Sequence, residues 1–178
     1  MTKSLCLLKP NLDFSDAIRH YEQEFNNPIN GIAGSSMLTS FESVEQWLES
    51  LKMYESKNTI PVKHHVPGIQ YILVRKSDNK IIGMSNLRTE LNDYLLDYGG
   101  HIGYSICPSE RKKGYGKIIL RETLIKAKEL GLERILVTCN YKNIGSEKII
   151  LSNNGVFENK TFDADDDTWV KRYWIDNR

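Results

Sequence analysis

The amino-terminal third of the chain predicts one strand followed by two helices. A short apolar run over residues 4–8 is typical of a strand, and Asp13 is suited to cap a helix over residues 14–26. A second helix is predicted over residues 43–55 behind Ser43, because apolar side chains recur there at spacings of three and four residues: Val44, Trp47, Leu48 and Leu51. Both helices precede the main sheet.

From residue 69 the apolar period changes to two, which predicts strands. Alternation over residues 69–73 indicates one strand, and a polar turn at residues 77–80 leads into a second over residues 81–84. The two strands therefore form a hairpin. After a polar loop, another alternating strand covers residues 102–106 and ends before Pro108, which cannot donate to a ladder.

Helices and strands alternate in the carboxy-terminal half. Residues 117–130 form the clearest helix, and a buried strand over residues 135–138 follows it directly. A short helix over residues 144–153 then precedes two final strands, over residues 156–162 and 169–175. This order predicts an α/β or α+β fold.

The strand–helix–strand order around the central helix predicts a parallel pair. Residues 102–107 and 134–139 are expected in one sheet, joined by a right-handed crossover. The chain has 178 residues, close to the roughly 150 of a typical domain, so we predict a single domain over residues 1–178. With 40% hydrophobic and 26% charged residues, that domain can bury a core.

Charge and cysteine content narrow the classes of function. The chain has 24 Lys and Arg against 23 Asp and Glu, a net charge of +1, so neither nucleic acid nor a membrane surface is expected as a partner. Cys6, Cys107 and Cys139 are too few and too scattered for a disulfide scaffold. No apolar run reaches about 18 residues, and we expect a cytoplasmic protein. Adjacent His64 and His65 lack other ligands at metal spacing, so no metal is expected.

The strand ending at Cys107 and the central helix are joined by a basic, glycine-containing turn. Residues 109–117 read Ser-Glu-Arg-Lys-Lys-Gly-Tyr-Gly-Lys. Gly114 and Gly116 allow a sharp turn close to a ligand, and the first N–H groups of the helix point at whatever occupies the turn. Residues 110–128 contain seven Lys or Arg and two Glu, a local excess of +5. Phosphate groups fit this description, although a solvated basic helix entry shows the same charge.

Two familiar phosphate-binding loops are excluded by particular residues. A Walker loop needs a glycine where Arg111 stands and a hydroxyl where Ile118 stands. The dinucleotide fingerprint needs a third glycine where Ile119 stands, and this turn follows a late strand. The sequence thus indicates neither a nucleoside triphosphatase nor a Rossmann enzyme.

A third pattern does match. Residues 111–116, Arg-Lys-Lys-Gly-Tyr-Gly, resemble the acetyl-CoA signature of the GNAT acetyltransferases, which is Arg or Gln, two residues, Gly, one residue, then Gly or Ala. Residues 103–106, Gly-Tyr-Ser-Ile, and residues 143–146, Asn-Ile-Gly-Ser, fit the same family. The resemblance covers about residues 69–157. The segment 91–104 is similar to a subgroup of predicted GNAT acetyltransferases, but this similarity does not identify a substrate. The first 60 residues match only in the order of elements, where the family usually builds its substrate side.

The resemblance implies a fold and a co-substrate. The fold is a mixed, mostly antiparallel sheet of six or seven strands flanked by helices, with a parallel, splayed pair of central strands. Acetyl-CoA is the expected co-substrate, with its pantetheine arm against the backbone of Ile106 and its pyrophosphate on the amides of residues 112–117. The residues implied in cofactor binding are Ile106, Arg111, Lys112, Lys113, Gly114, Tyr115, Gly116, Lys117, Asn143 and Ser146.

The resemblance also implies direct attack by a primary amine of a small molecule or peptide on the thioester. His101 stands where many relatives carry Glu and is the expected general base. Relatives commonly protonate the leaving thiolate with a Tyr four residues past Ser146, but Ile150 occupies that position here. Ser146, Tyr141 and Tyr104 are the alternative donors. Because of Ile150, a non-catalytic acyl-CoA-binding module or sensor stays open as a second function.

The loop entering the cofactor strand supplies the candidates for the acceptor pocket, which are Arg88, Asn92, Tyr94 and Tyr98. Cys107 is expected to be a buried hydrophobe rather than a nucleophile. The aspartates of residues 163–167 are expected in a solvated hairpin turn, with attraction of a cationic substrate as an alternative. Exposed carboxy-terminal strands would allow a homodimer.

Overall fold

The structure is a computed structural model that describes residues 4–26, 28 and 30–178. Seven strands and four α-helices occur in this order: β1 (Leu5–Leu8), α1 (Ser15–Gln23), α2 (Val44–Tyr54), β2 (Gly68–Arg75), β3 (Lys80–Arg88), β4 (Ile102–Ile106), α3 (Tyr115–Glu129), β5 (Arg134–Asn140), α4 (Ile144–Leu151), β6 (Val156–Asp163) and β7 (Thr168–Asp176). Every predicted helix and strand is present. None of the helices in the described residues is long and apolar enough to cross a membrane.

Two helix starts differ from the sequence prediction. Asp13 does not cap α1: it lies inside a 3-10 turn over Leu12–Phe14, whose cap is the Asn11 side chain accepting from the Asp13 amide at 2.9 Å. The central helix α3 begins at Tyr115 rather than near residue 117, because Gly114 already has the left-handed conformation that sets its first turn. The Ser43 cap of α2 is confirmed, since its side chain accepts from the Gln46 amide.

The strands form two antiparallel sheets. The first has the order β1-β2-β3-β4 and the second the order β5-β7-β6. Residues 102–107 and 134–139 were expected in one sheet as a parallel pair. That expectation was wrong about pairing, because β4 and β5 belong to different sheets and no ladder joins them in the described residues.

The two sheets approach each other at a single point. The His101 amide donates to the Leu136 carbonyl at 2.8 Å, just before β4 begins. Gly100 makes this approach possible: it has φ 65°, and a Cβ there would lie 2.6 Å from the Leu136 oxygen. Beyond that point no ladder joins β4 and β5 in the described residues, and a cleft lies along β4, lined also by the start of α3 and by α4.

The core is divided by the first sheet. On one face, α1 and α2 pack around Ile18 and Trp47, which are fully buried against β2 and β3. On the other face, Leu120 and Leu124 of α3 pack with β5 and β7. Helix α3 is thereby fixed on both sheets, and its amino terminus is held at the mouth of the gap.

Candidate active site

A cleft of about 890 Å³ lies beside the first sheet, within the range of small-molecule sites. Its wall is built mainly from four parts of the chain: the segment around residues 31–33, strand β4, the turn into α3, and helix α4. The residues predicted for the cofactor that lie in this wall are Ile106, Arg111, Lys112, Gly114, Tyr115, Gly116, Lys117, Asn143 and Ser146.

The amino terminus of α3 offers uncompensated N–H groups to the cleft. Gly114 is the N-cap residue with φ 84°, and no side chain of the described residues caps this end. In any α-helix the first amides have no acceptor within the helix, so those of Tyr115, Gly116 and Lys117 are available to a ligand. These donors and the positive end of the helix dipole favour an anion.

The second glycine of the turn has a different role from the one expected. A Cβ on Gly116 would collide with the Cδ1 atom of Ile149 in α4. Gly116 therefore lets α3 and α4 pack closely at the cleft, in addition to lying in its wall. At Gly114, by contrast, a Cβ would meet nothing within 4 Å, and only the positive φ favours glycine.

Strand β4 turns backbone groups that are not paired with β3 toward the cleft. In its ladder with β3, the Arg88 amide donates to the His101 carbonyl at 2.7 Å and the Cys107 amide donates to the Ile82 carbonyl at 2.9 Å. Hydrogen-bonded and non-bonded positions alternate in an antiparallel pair, so the N–H and C=O groups of Tyr104 and Ile106 point away from β3. An extended ligand can pair with this edge as an added strand would.

The basic side chains of the turn are not equivalent. Lys112 and Lys117 are exposed at the cleft, whereas the ammonium of Lys113 contacts Glu110 Oε2 at 3.0 Å and lies outside the described cleft wall. Glu110 is buried and also pairs with Arg75 at 3.1 Å. The prediction that Lys113 binds the cofactor was made from local sequence alone. It did not take into account the ion pair between Lys113 and the buried Glu110.

Arg111 also makes contacts within the protein. Its Nε donates to the Ile106 carbonyl at 3.2 Å, and its guanidinium lies 5.5 Å from the centre of the Phe25 ring. The side chain thus links the turn to the end of α1 and to the edge of β4. Arg111 lies in the cleft wall, and in this structure its side chain is hydrogen-bonded to the Ile106 carbonyl.

Helix α4 begins with a side-chain cap. The Asn143 side chain accepts from the Ser146 amide at 3.0 Å, which places the Ser146 hydroxyl on the cleft. That hydroxyl shares a hydrogen bond of 2.8 Å with the phenol of Tyr104. Burial, only partly offset by this hydrogen bond, raises the pKa of Tyr104 well above its usual value.

His101 is placed differently from the prediction of a general base. It is 9% exposed, outside the described wall of the cleft, and its Nδ1 lies 2.9 Å from the Leu136 amide. An amide can only donate, so Nδ1 is the acceptor and the neutral ring carries its proton on Nε2. Burial lowers the pKa of His101 to about 4. With its free lone pair already used, His101 links the two sheets, and the base role finds no support in this placement.

Two further positions bear on the proton donor: Tyr141, and Ile150 at the position where relatives commonly carry a tyrosine. Both lie outside the described cleft wall. Ile150 is fully buried in the core between α3 and β5, so this position faces inward. Tyr141 is 37% exposed, and its ring lies 5.4 Å from the Lys142 ammonium, outside the described cleft wall. Of the predicted donors, the structure brings Tyr104 and Ser146 together and leaves Tyr141 apart.

The four residues predicted for the acceptor pocket also lie outside the described wall of this cleft. Arg88 donates to the carbonyls of Gly99 and Gly100 at 3.3 and 3.0 Å, and burial lowers its pKa. Asn92 caps the turn that follows it by accepting from the Leu95 amide at 2.9 Å.

The two predicted tyrosines pack against each other in the turn over Leu95–Gly99 and just before it. Their ring centres are 5.3 Å apart. Tyr94 donates to Asp163 at 3.2 Å, and burial followed by the nearby Asp163 raises its pKa to about 12. The Tyr98 carbonyl accepts from Thr138 at 2.7 Å. These contacts join the turn to the second sheet, and the acceptor role of Tyr94 and Tyr98 remains a sequence prediction.

Sequence reasoning missed the segment around residues 31–33. Gly31, Ile32 and Ala33 line the cleft opposite α4, and the Ala33 carbonyl accepts from the Ser105 hydroxyl at 2.5 Å. The Tyr21 hydroxyl of α1 supports Ser105 through a second contact of 3.0 Å. The only signal for this segment was the general expectation that the amino-terminal elements form the substrate side.

Cys107 is fully buried, and burial raises the pKa of its thiol to about 11, in keeping with the expected structural role. Within the part of the chain that the structure describes, no three His, Cys, Asp or Glu side chains are grouped so as to hold a metal ion.

Comparison with known proteins identifies the family. The family model described as Acetyltransferase (GNAT) domain matches residues 21–155. No curated protein matches the sequence significantly. Among solved structures, the ribosomal-protein-S5-alanine acetyltransferase of Vibrio fischeri is 18% identical with a TM-score of 0.70, and 99% of this chain and 95% of that chain are covered.

Two further solved structures have the same fold. The putative ribosomal-protein-serine acetyltransferase of Vibrio cholerae is 16% identical, with a TM-score of 0.66 over 99% of this chain and 95% of that one. The dodecameric spermidine N-acetyltransferase of Vibrio cholerae is 18% identical, with a TM-score of 0.63 over 97% and 94%. At these identities the likeness shows the fold, and the expected fold class is confirmed. Since the family model spans most of the chain and its motif residues lie in one cleft, the protein belongs to the GNAT family of acetyltransferases.

Proposed function

We propose that the protein binds acetyl-CoA in the cleft formed by β4, the start of α3 and α4, and transfers the acetyl group to a primary amine of a small molecule or peptide. The observation that carries this proposal is the uncapped amino terminus of α3, which faces the cleft beside the open backbone edge of β4. These two features suit the two parts of coenzyme A: a charged pyrophosphate and an extended amide-containing arm. Acetyl-CoA supplies the acetyl group as an activated thioester.

The residues of the cleft fit this co-substrate. The amides of Tyr115, Gly116 and Lys117 provide donors for the pyrophosphate, and the ammonium of Lys117 adds charge at the same end. The N–H and C=O groups of Ile106 provide the pairing positions for the pantetheine arm. Binding along this edge would displace the Arg111 contact to the Ile106 carbonyl.

The acceptor amine would enter from the remaining side of the cleft. Gly31, Ile32 and Ala33 form that side, and Ser105 fixes them to β4. Holding the amine beside the thioester would contribute to rate by orientation alone. The three small or apolar residues on this side of the cleft do not identify an acceptor class, so a screen is needed.

Calorimetric titration with acetyl-CoA tests the cofactor assignment. Gly114→Trp should abolish saturable binding, because the new side chain projects from the turn where the pyrophosphate would sit. Gly131→Trp is the matched control: Gly131 also has positive φ and open space around it, but lies at the other end of α3. Equal binding by the wild type and Gly114→Trp would refute the assignment.

A second assay tests catalysis. Release of free thiol from acetyl-CoA should be detected with at least one member of a panel of polyamines, amino acids, aminoglycosides and peptide amino termini. The buried Ile150, at a position where relatives commonly carry a proton donor, favours a second function as a non-catalytic acyl-CoA-binding module. Saturable binding with no thiol release across the whole panel would support that second function and refute the transferase.

A further inference from the structure

The cleft wall contains five side-chain hydroxyl groups. Ser105 and Ser152 each donate to a backbone carbonyl. Tyr104 and Ser146 are 2.8 Å apart, and the Tyr104 hydroxyl also lies 3.4 Å from the Ser146 carbonyl. When the Ser146 hydroxyl donates to the Tyr104 oxygen, the phenol O–H can turn from that long contact and donate to a third atom in the cleft.

The pair spans the cleft. Tyr104 belongs to β4 and Ser146 to the first turn of α4, so their contact joins the first sheet to the helix that follows β5. The Asn143 cap holds Ser146 in place from the other side through the Ser146 amide. The phenol is thereby fixed in direction, which a hydrogen-bond donor at a reacting centre requires.

Tyr104 also stands at the right place along the strand. Its backbone groups open to the cleft on the same edge as those of Ile106, two residues or about 7 Å away. A ligand anchored at the start of α3 and paired with Ile106 runs along this edge toward Tyr104. The end of the ligand remote from its phosphates therefore lies near the Tyr104–Ser146 pair.

We propose that Tyr104, positioned by Ser146, donates a hydrogen bond to the sulfur atom that leaves during acetyl transfer. This inference rests on the proposed function. It assigns hydrogen-bond donation to the leaving sulfur to a residue of β4. Ile150 of α4 cannot donate, because its side chain has no proton to give and is buried in the core.

The bonds and protons balance without full proton transfer from the phenol. The C–N bond forms from the lone pair of the amine, and the C–S bond breaks with its electron pair on sulfur. Water takes the proton that the amine loses, and sulfur later takes a proton from water. Tyr104 keeps its own proton, since burial raises the pKa of its phenol whereas a thiol ionises near 8.5. The residue acts as a hydrogen-bond donor to developing negative charge.

Binding of CoA and of desulfo-CoA, in which hydrogen replaces the thiol group, measures this contact without turnover. Calorimetry at pH 9.5 presents CoA largely as the thiolate, which should bind wild type about 10- to 100-fold more tightly than desulfo-CoA, as for a hydrogen bond to a charged acceptor. Tyr104→Phe should bind both equally. Ser146→Ala should reduce the preference partially, because the phenol is no longer held.

Several outcomes separate the hypotheses. Tyr54→Phe, which removes a phenol bonded to His65 far from the cleft, should keep the full preference and serves as the control. Retention of the preference by Tyr104→Phe, or its loss in Tyr141→Phe instead, would overturn the proposal. If the wild type binds CoA but does not distinguish it from desulfo-CoA, Tyr104 is also excluded, and the proposed function stands. If the wild type binds neither ligand, the proposed function itself fails. Unchanged thermal unfolding of Tyr104→Phe confirms that the variant is folded.

Discussion

Protonation of His101 should couple the stability of the protein to pH in a narrow acidic range. Its imidazole is buried at the single point where the two sheets meet, and its Nδ1 accepts from the Leu136 amide. Burial lowers the pKa of His101 to about 4, whereas an exposed histidine in the unfolded chain titrates near 6.5. Above pH 6.5 the residue is neutral in both states and has no effect on the pH dependence.

Below pH 6.5 the unfolded chain binds a proton at His101 that the folded protein does not bind. The free energy of unfolding therefore decreases as the pH falls, by up to about 1.4 kcal/mol per pH unit. Integrating between the two pKa values gives a loss of about 2 kcal/mol by pH 5 and about 3 kcal/mol by pH 4. Below pH 4 the folded protein is protonated as well, and this contribution levels off.

Urea unfolding at half-unit steps from pH 7 to pH 4 measures this effect. His101→Gln keeps a polar side chain but removes the titration, so the wild type and the variant should differ in slope between pH 6.5 and pH 4. His20→Gln, which changes an exposed histidine of α1, provides the matched control and should keep the wild-type slope. Parallel curves for the wild type and His101→Gln would show that the buried imidazole does not titrate as argued.

Three other substitutions test the turn proposed to bind phosphate. Glu110→Gln should lower the free energy of unfolding by about 1–2 kcal/mol, since it removes the negative charge next to buried Arg75 while Asp78 still pairs with that guanidinium. Burial opposes ionisation of Glu110, but hydrogen bonds from Lys113 and Arg75 lower its pKa. The loss of unfolding free energy in Glu110→Gln should therefore be seen in urea unfolding at pH 7. It should shrink as the pH falls below about 4.5, where the wild-type carboxylate becomes protonated. Lys117→Met should raise the Kd for acetyl-CoA about 3- to 10-fold, whereas Lys113→Met should change it less than about twofold, because Lys113 faces Glu110. Equal effects of the two lysine substitutions in calorimetry would contradict this placement.

The parts of the site that the sequence predicted are those encoded locally. The turn at residues 109–117 was identified because glycines, basic residues and an adjacent helix pattern lie within a few positions of one another. Asn143 and Ser146 were likewise identified from a short motif, and in the structure Asn143 caps α4 by accepting from the Ser146 amide. Such features depend on backbone conformation over one or two turns, which neighbouring residues determine.

The parts that the sequence did not predict depend on residues far apart in the chain. Lys113 pairs with Glu110, a residue of the cleft wall that is also held by Arg75, 35 positions from Glu110. His101 is occupied by Leu136, which is also 35 positions away. The roles of Lys113 and His101 were predicted from residue type and motif position alone. Neither property indicates which distant residue will contact them in the folded protein.

The separation of β4 and β5 is a third feature that local patterns did not predict, although the family resemblance implied a splayed pair of central strands. The strand–helix–strand pattern predicted that β4 and β5 pair, since strands joined by one helix usually do. In the structure their only backbone contact in the described residues is at His101, and Gly100 permits it. Had the ladder continued, the N–H and C=O groups of Tyr104 and Ile106 would bond to β5. Because no such ladder forms, these groups face the cleft, where the Ile106 carbonyl accepts only from Arg111 among the described residues, and the hydroxyl of Tyr104 contacts Ser146. The open backbone edge of β4 and the position of the proposed donor Tyr104 thus have the same physical cause, which is that β4 and β5 do not pair beyond His101.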